Sequence, residues 1–347
     1  MRQAMKQSLV GVLLVAALSA QGVSAQERLK LSIGSTASPG WSLGKDLNNV
    51  MKPNLEKYSG GRIELTVHGG GALCNEQGCV EQMKLGQIDM ATVSSGNVGA
   101  FGTTFDIINL PYLFKDAETA NRISNAWLAK ELSQRAEKEM KVHVVALVPV
   151  GGFRNIVNTQ REARIPADLK GLKIRVTKSP TEFNLVKAWG AVPVPYDWAQ
   201  LYEGLQAGVV QGMYLQDAFT SAGKFFEVVK HVTVVNGAYS AHPIMMDLAR
   251  YNKLPQWAKD AFAKVGADLM KESYAYDVEW VKTAEQAMQG KVKSYSPTPQ
   301  EMAQWHKGAK DAWVAVRGTY DPKLALRILE EQGQKDLISD LKAAKAL

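Results

Sequence analysis

Long apolar runs are missing from almost all of this 347-residue chain. After residue 25 no stretch approaches the roughly eighteen uninterrupted apolar residues that a membrane-spanning helix needs, which excludes an integral membrane bundle. Basic runs with interleaved aromatics are missing too, so a nucleic-acid partner is not expected. The net charge of +7 is a mild excess, suited to attracting small anions rather than a polyanion. No internal repeat or low-complexity linker divides the chain. HGGG at His68–Gly71 has the look of an esterase oxyanion loop, but no G-x-S-x-G elbow exists to supply its nucleophile. GWSLGKD at Gly40–Asp46 is too short for a phosphate loop, and Asp46 stands where a magnesium-holding hydroxyl belongs. The five histidines (68, 143, 231, 242 and 306) offer no pair at helical ligand spacing, and His143, set among valines, reads as structural. No catalytic residue, metal or cofactor is expected.

Cysteine is nearly absent, and its two occurrences, Cys74 and Cys79, lie five residues apart. The first residues carry basic Arg2 and Lys6, an apolar centre from Leu9 to Leu18, and small Ser24 and Ala25, the pattern of a secretory signal cleaved after Ala25. Cleavage leaves 347 − 25 = 322 residues, enough for two domains with cores of their own, and lowers the charge from +7 to +5. In an oxidising compartment a close cysteine pair reads as a disulfide. Within one helix two residues at that spacing stand too far apart to bridge, so Cys74 is expected before a helix that begins near Gln77 and runs to Lys84. A zinc site is the alternative, weakened by the lack of two further ligands.

What is present is an α/β rhythm. Leu29–Ile33 and Ile63–Val67 alternate apolar and polar residues as strands do, with a helix from about Trp41 to Lys57 between them. Further strands are expected at Ile88–Ser94, Val142–Val150, Lys173–Thr177, Ala191–Val194 and Val209–Tyr214, in sheets covered on both faces. From Pro255 onward helices dominate. The stretch from Pro255 to Met288 is either one very long helix or two with a break near Tyr274–Tyr276.

Two arginines stand out. Arg154 follows Gly151-Gly152 at the end of an apolar run, where a strand hands its chain to a loop. Arg175 lies inside the alternating LKIRV, and alternation alone puts it on the solvent face of a strand. Brought together, two guanidiniums form a carboxylate or phosphate clamp, because each offers a planar fork of N–H donors.

The run G-x-R-N from Gly152, followed by R-x-P-x-D-L-K-G-L-K-I-R-V, resembles the solute-binding proteins of TRAP transporters, the tripartite ATP-independent carriers of organic acids. LPYLF at Leu110–Phe114, the P-x-P within Val192–Tyr196 and LYEGLQAGVVQG at Leu201–Gly212 extend the resemblance over nearly the whole mature chain. The resemblance implies a two-lobed periplasmic receptor of DctP type with a hinge and a long helix spanning both lobes. It implies an organic carboxylate held by Arg175 with support from Arg154, and a permease of small and large membrane subunits as partner. The expected division is 26–150 with about 241–280 in one lobe, and 151–240 with about 281–347 in the other. The ligand belongs in the crevice at the strand C-terminal ends.

Trp198, just before the LYEGLQ helix, matches the place where the family presents a ring to the ligand. Trp41, Asn75, Glu76, Asn97, Tyr239 and His242 are further candidates by position, each as suited to packing or solvation as to contact. The chain departs from the family after Gly212. Where an acid, amide or tryptophan usually reads the rest of the ligand, Met213, Tyr214 and Leu215 follow, with Leu215 expected in the core and Tyr214 or Gln216 at the cleft. Such a wall favours a ligand with an aromatic or branched body, a 2-oxo or 2-hydroxy monocarboxylate. A C4-dicarboxylate anchored a second time by His242 or Arg154, and an exported hydrolase using the same clamp, are the alternatives.

Overall fold

The computed structural model describes residues 28–347; the expected secretory segment lies outside them. Strands β1 (Leu29–Gly34), β2 (Ile63–His68), β3 (Met90–Thr92), β4 (Val142–Asn158), β5 (Lys173–Val176), β6 (Val192–Pro195), β7 (Gly212–Gln216), β8 (His231–Thr233), β9 (Tyr239–Asp247) and β10 (Lys293–Tyr295) alternate with helices. The sheet order is β2-β1-β3-β9-β4-β7-β5-β6, with β8 pairing to β4 and β10 to β8. Parallel βαβ units make each end of the sheet, and antiparallel β9 and β4 join them. The architecture is a two-lobed α/β fold, as the strand and helix rhythm led one to expect.

β4 is the exception to that rhythm. It does not end at Val150. It runs for 17 residues, pairing through its first part with β9 and from Arg154 onward with β7 and β8, so one strand belongs to both lobes. The register slips between Pro149 and Phe153, where Gly151 and Gly152 adopt φ of 84° and 72°. A side chain at such φ is strained, so the glycine pair lets the strand bend without breaking. The sequence alone presented this pair as the end of a strand because a bulge and a turn use the same residues.

The long helix spans Gln256–Met288 without a break at Tyr274–Tyr276 and is about 50 Å long at 1.5 Å per residue. Ala258, Phe262, Val265, Leu269, Trp280 and Ala284 lie on its buried stripe, spaced as an amphipathic helix requires. Midway, buried Asp277 accepts a hydrogen bond from the Gly151 backbone N–H and another from Ser42 Oγ at 3.3 Å. The helix therefore ties the bend in β4 to the first helix of the chain. Residues 281–347 do not all follow the second lobe, contrary to expectation. Helix Pro299–Ala315 packs on Pro180–Ala188 there, but Pro322–Glu331 and Lys335–Ala343 bury Leu324, Ile328, Leu329 and Leu341 in the cluster of Phe105, Ile107 and Leu110. Trp313 Nε1 donates to the Pro111 carbonyl at 2.9 Å on the same side. A helix settles on whichever sheet offers matching apolar surface, which chain order does not reveal.

Cys74 and Cys79 form a disulfide with Cα atoms 5.2 Å apart. Cys74 precedes the helix Glu76–Lys84, which starts one residue earlier than expected because Asn75 caps it, accepting from Gly78 N–H at 2.8 Å. The sulfurs sit against Gly34 at the end of β1.

Burial raises the pKa of four carboxyls, Asp46 to about 8, Asp106 to about 7, and Asp217 and Asp277 to about 6. Between those values and the ordinary 3.8 the native chain keeps protons that the unfolded chain has released. Their contribution to stability is fully present below about pH 4 and is lost as pH rises through 6 to 8. Asp46→Asn should therefore stabilise the protein by at least about 1 kcal/mol more at pH 8 than at pH 5. Equal shifts at the two pH values in thermal unfolding would show that Asp46 ionises freely. Cys74 and Cys79 should react with thiol reagents only after reduction, and replacing both by serine should cost about 2 kcal/mol. Two free thiols in the native exported protein would contradict the bridge.

Candidate functional site

A narrow cleft opens where the C-terminal ends of β1, β3, β5 and β7 meet β4 and β9. Of the residues singled out from the sequence, Arg154, Arg175, Trp41, Trp198, Glu76, Asn97, Gln216 and His242 line it.

Arg175 is 2% exposed rather than on a solvent face. The side of β5 that alternation assigns to water is the cleft side, which the other lobe covers. Its Nε donates to the Tyr196 carbonyl at 2.9 Å. Among the described residues its two terminal nitrogens have no hydrogen-bond partner. Burial, with Arg154 nearby, lowers its pKa to about 10, against the pull of Glu182 and Glu76, so it stays a cation at neutral pH.

Arg154 lies inside β4, not at a strand end. It is paired on the protein's own terms: Nε meets Glu182 Oε1 at 3.2 Å, and Nη1 donates to the Tyr214 carbonyl at 3.2 Å. Glu182 is fully buried and its Oε2 accepts from the Thr177 N–H at 3.0 Å. Sequence reasoning missed Glu182. Its signal was the position three residues after Ser179, which caps the helix Pro180–Ala188.

Opposite stands a second carboxylate that is already satisfied. Glu76 accepts from the Ser94 N–H at 2.6 Å, from Ser94 Oγ at 3.3 Å and from Asn97 Nδ2. The same Asn97 accepts the Lys178 N–H at 3.1 Å from across the cleft. Beside it Gly96 approaches so closely that a Cβ there would sit 2.4 Å from Thr177 Oγ1, a distance only glycine allows. Asn75 lies at the mouth, where its Nδ2 reaches Asp197 Oδ2 at 2.9 Å.

The remaining wall is aromatic. Trp41 meets Trp198 edge-on at 5.9 Å and Phe219 at 5.4 Å, and stacks on Trp280 at 5.7 Å. Phe219, missed from the sequence, heads the helix Asp217–Ala222 directly after β7, the loop position from which α/β proteins recruit site residues. Leu215 lines the cleft as well as being buried, while Tyr214 does not line it. Alternation puts Leu215 on the side of Met213, the register partner of Arg175, and turns Tyr214 toward Trp189 at 5.7 Å. Tyr239 is likewise outside, packed on Phe153 and Phe114.

Besides the Arg175 fork, two uncharged groups in the wall stay unsatisfied among the described residues. Gln216 Nε2 donates to the Val150 carbonyl at 3.4 Å, leaving Oε1 buried without a partner, and His242 Nε2 is buried without one. Burial and the nearby Arg154 drive the His242 pKa down to about 3, so the imidazole is neutral.

Comparison with known proteins places this arrangement. The sequence pattern of "Bacterial extracellular solute-binding protein, family 7" (DctP) matches residues 33–317. The C4-dicarboxylate-binding periplasmic protein DctP of Rhodobacter capsulatus is 27% identical over 255 residues, 73% of this chain and 76% of that protein. Among solved structures, a TRAP periplasmic solute-binding protein from Bordetella bronchispeptica, with density assigned to pantoate, superposes with a TM-score of 0.80 at 23% identity, covering 87% of this chain and 98% of that one. Another from Pseudomonas putida F1, with bound D-glucuronate, gives 0.79 at 23% identity over 86% and 96% of the two chains. These are binding proteins, not enzymes. With a two-lobed fold, a cationic cleft at the strand ends and a family match over most of its length, this chain belongs to the DctP family, the extracellular solute-binding proteins of TRAP transporters.

Proposed function

We propose that this protein is the receptor that captures an aromatic or branched 2-oxo or 2-hydroxy monocarboxylate outside the cytoplasm and delivers it to a TRAP permease of small and large membrane subunits. Residues 1–25 direct its export, and the mature protein works in the periplasm. Among the described residues no helix is long and apolar enough to cross a membrane, which accords with that placement. The observation that carries the reading is the allocation of charge in the cleft. Arg154 is paired with Glu182, and Glu76 is committed to Ser94 and Asn97, which among the described residues leaves the fork of Arg175 as the cleft's cation without an anion. A ligand carboxylate completes it bidentately. The indoles of Trp41 and Trp198 line the same cleft as the arginine and suit an apolar body, since ring contacts add about 0.5–1.5 kcal/mol beyond burial.

A second carboxylate would lack an anchor, because His242 is neutral and Arg154 already has a carboxylate partner. This weighs against a C4-dicarboxylate, the ligand named for the Rhodobacter relative. Closure around the ligand turns on the bend at Gly151-Gly152, with β4, β9 and the long helix as the connections between lobes.

Arg175→Lys and Arg175→Ala should each weaken binding at least tenfold while leaving the fold intact, because lysine cannot copy the fork. Normal affinity in a folded Arg175→Lys protein would rule out a bidentate clamp. Arg154→Ala should weaken binding and also destabilise the protein by about 3 kcal/mol, since it strands Glu182 in the interior. Calorimetry with phenylglyoxylate, branched 2-oxo and 2-hydroxy acids, succinate and glucuronate tests the ligand class. Tight binding of succinate or glucuronate with none for the apolar acids would overturn it, as would recovery of a chemically altered ligand.

A further inference from the structure

The surfaces on which the two lobes meet include a carboxyl with no partner. Asp106 opens the short turn Asp106–Asn109, whose Ile107 and Ile108 sit in the core of the first lobe. The helix Pro180–Ala188 of the second lobe packs on that turn. Asp106 is 0% exposed, and among the described residues neither of its carboxyl oxygens has a hydrogen-bond partner. We propose that Asp106 makes lobe closure proton-linked: the closed protein holds it as the neutral acid, and opening returns the proton to water. The proposal does not depend on which organic acid fills the cleft.

The surroundings of Asp106 favour the neutral acid. Asp106 and Glu182 flank the same short turn, Ser95–Val98 with the glycine that follows it. A Cβ on Gly96 would lie 2.6 Å from Glu182 Oε1, and one on Gly99 would lie 3.1 Å from Asp106 Oδ1. Across the lobe boundary, therefore, Asp106 faces a buried carboxylate whose one cationic partner is Arg154. Thr319, beside Asp106, donates its hydroxyl proton to the Val316 carbonyl at 3.1 Å, so toward the carboxyl it presents a lone pair. A lone pair repels a carboxylate and accepts from a carboxylic acid. Burial, with Glu182 added, pushes the Asp106 carboxyl up to about 7. The other elements around the turn bring no compensating cation close. Ser95–Val98 carries no charge, and β9 contributes buried Tyr239, neutral His242 and, at its far end, Asp247. Lys178 and Lys187 of the second lobe and Arg317, two residues before Thr319, are exposed.

The direction of the linkage follows. Opening takes the second lobe off this face and gives Asp106 to water, where a carboxyl titrates near its ordinary 3.8. Between that value and about 7 the closed form holds a proton that the open form has released, so closure takes one up. The advantage to the closed form is full below about pH 4 and is lost as pH rises through 7, above which closure has to bury a bare charge. His242 works in the opposite sense, because it is neutral in the closed cleft and an open cleft lets it take a proton below its ordinary 6.5. Above that pH the contribution of Asp106 prevails. The receptor then holds its cargo more firmly as its surroundings fall from alkaline toward neutral pH.

The test compares the whole mature protein with Asp106→Asn, whose amide keeps the shape, offers Thr319 a donor and does not titrate. The probe is whichever of phenylglyoxylate, the branched 2-oxo and 2-hydroxy acids, succinate and glucuronate binds. The affinity of the wild type relative to that of the variant should rise at least about threefold from pH 8 to pH 6.5. Calorimetry at pH 7 in buffers of unlike ionisation enthalpy should show the wild type taking up about half a proton more than the variant on binding. His242 and the probe itself cancel in this comparison. A ratio that stays constant with pH, or equal proton uptake, would overturn the linkage. Should Asp106→Asn fail to fold, carbon-13 NMR of the aspartate-labelled wild type decides. One carboxyl should titrate near 7 with the acid bound and below about 5 without it, and identical titrations in the two states would overturn the proposal. If none of these acids binds, the proposed ligand class falls on its own, and scattering from the ligand-free protein judges the linkage. The radius of gyration should shrink from pH 8 to pH 6 in the wild type and not in the variant, whereas an unchanged radius in both would overturn it.

Discussion

The ion pair between Arg154 and Glu182 governs the chemistry of this cleft. Both partners are buried, and neither could stand there alone without a penalty of several kcal/mol. Their pairing removes one cation and one anion from the account presented to a ligand, while the Thr177 and Tyr214 main chain holds each side in place. Two arginines that are neighbours in the fold thereby sit in different electrostatic surroundings. One is part of the protein's own interior, and the other keeps its fork free. The lowered pKa of Arg175 reflects the same arrangement, a cation confined without water beside another cation.

The lobes are joined by a strand that bends instead of ending. β4 carries pairing from one sheet into the other, and the two glycines absorb the bend at φ values other residues resist. Asp277 grips the backbone at that point from the middle of the long helix. A pivot made in this way has a defined geometry, because its backbone donors are satisfied by a buried side chain and not by water. Arg154 lies only two residues beyond the pair, so the bend positions the cleft wall itself. The contacts of Asn97 with Lys178 and of Asn75 with Asp197 cross the mouth, and Gly96 meets Thr177 at glycine-only distance.

A receptor must release what it binds, and the composition of the wall bears on this. The indoles and Phe219 offer area without direction, whereas the arginine fork and the Gln216 amide offer direction with little area. Affinity for an organic acid then depends on how its polar groups match the few fixed partners. Differences among family members reside in those partners more than in the shared scaffold.

Much of the scaffold was legible in the chain. Alternation located most strands, the spacing of Cys74 and Cys79 dictated that one precede the helix, and the residues around Gly152–Val176 pointed to the family and to both arginines. Eight positions expected at the site do line the cleft. All of this is local or linear information, set by periodicity, capping and motif. The rest required contacts between residues far apart in the chain. Whether Gly151-Gly152 ends a strand or bends one depends on what pairs beyond it, and β9 and β7 decide that. Tyr214 and Leu215 differ by one position, and only the register with β5 tells which lines the cleft. The last two helices pack on the first lobe, where their apolar residues join the cluster of Phe105, Ile107 and Leu110. Above all, the division of labour between Arg154 and Arg175 was set by Glu182, a residue 28 positions from one and 7 from the other. Charge is compensated through space, so a sequence shows which ions a site contains, and only the folded chain shows which of them is left unpaired.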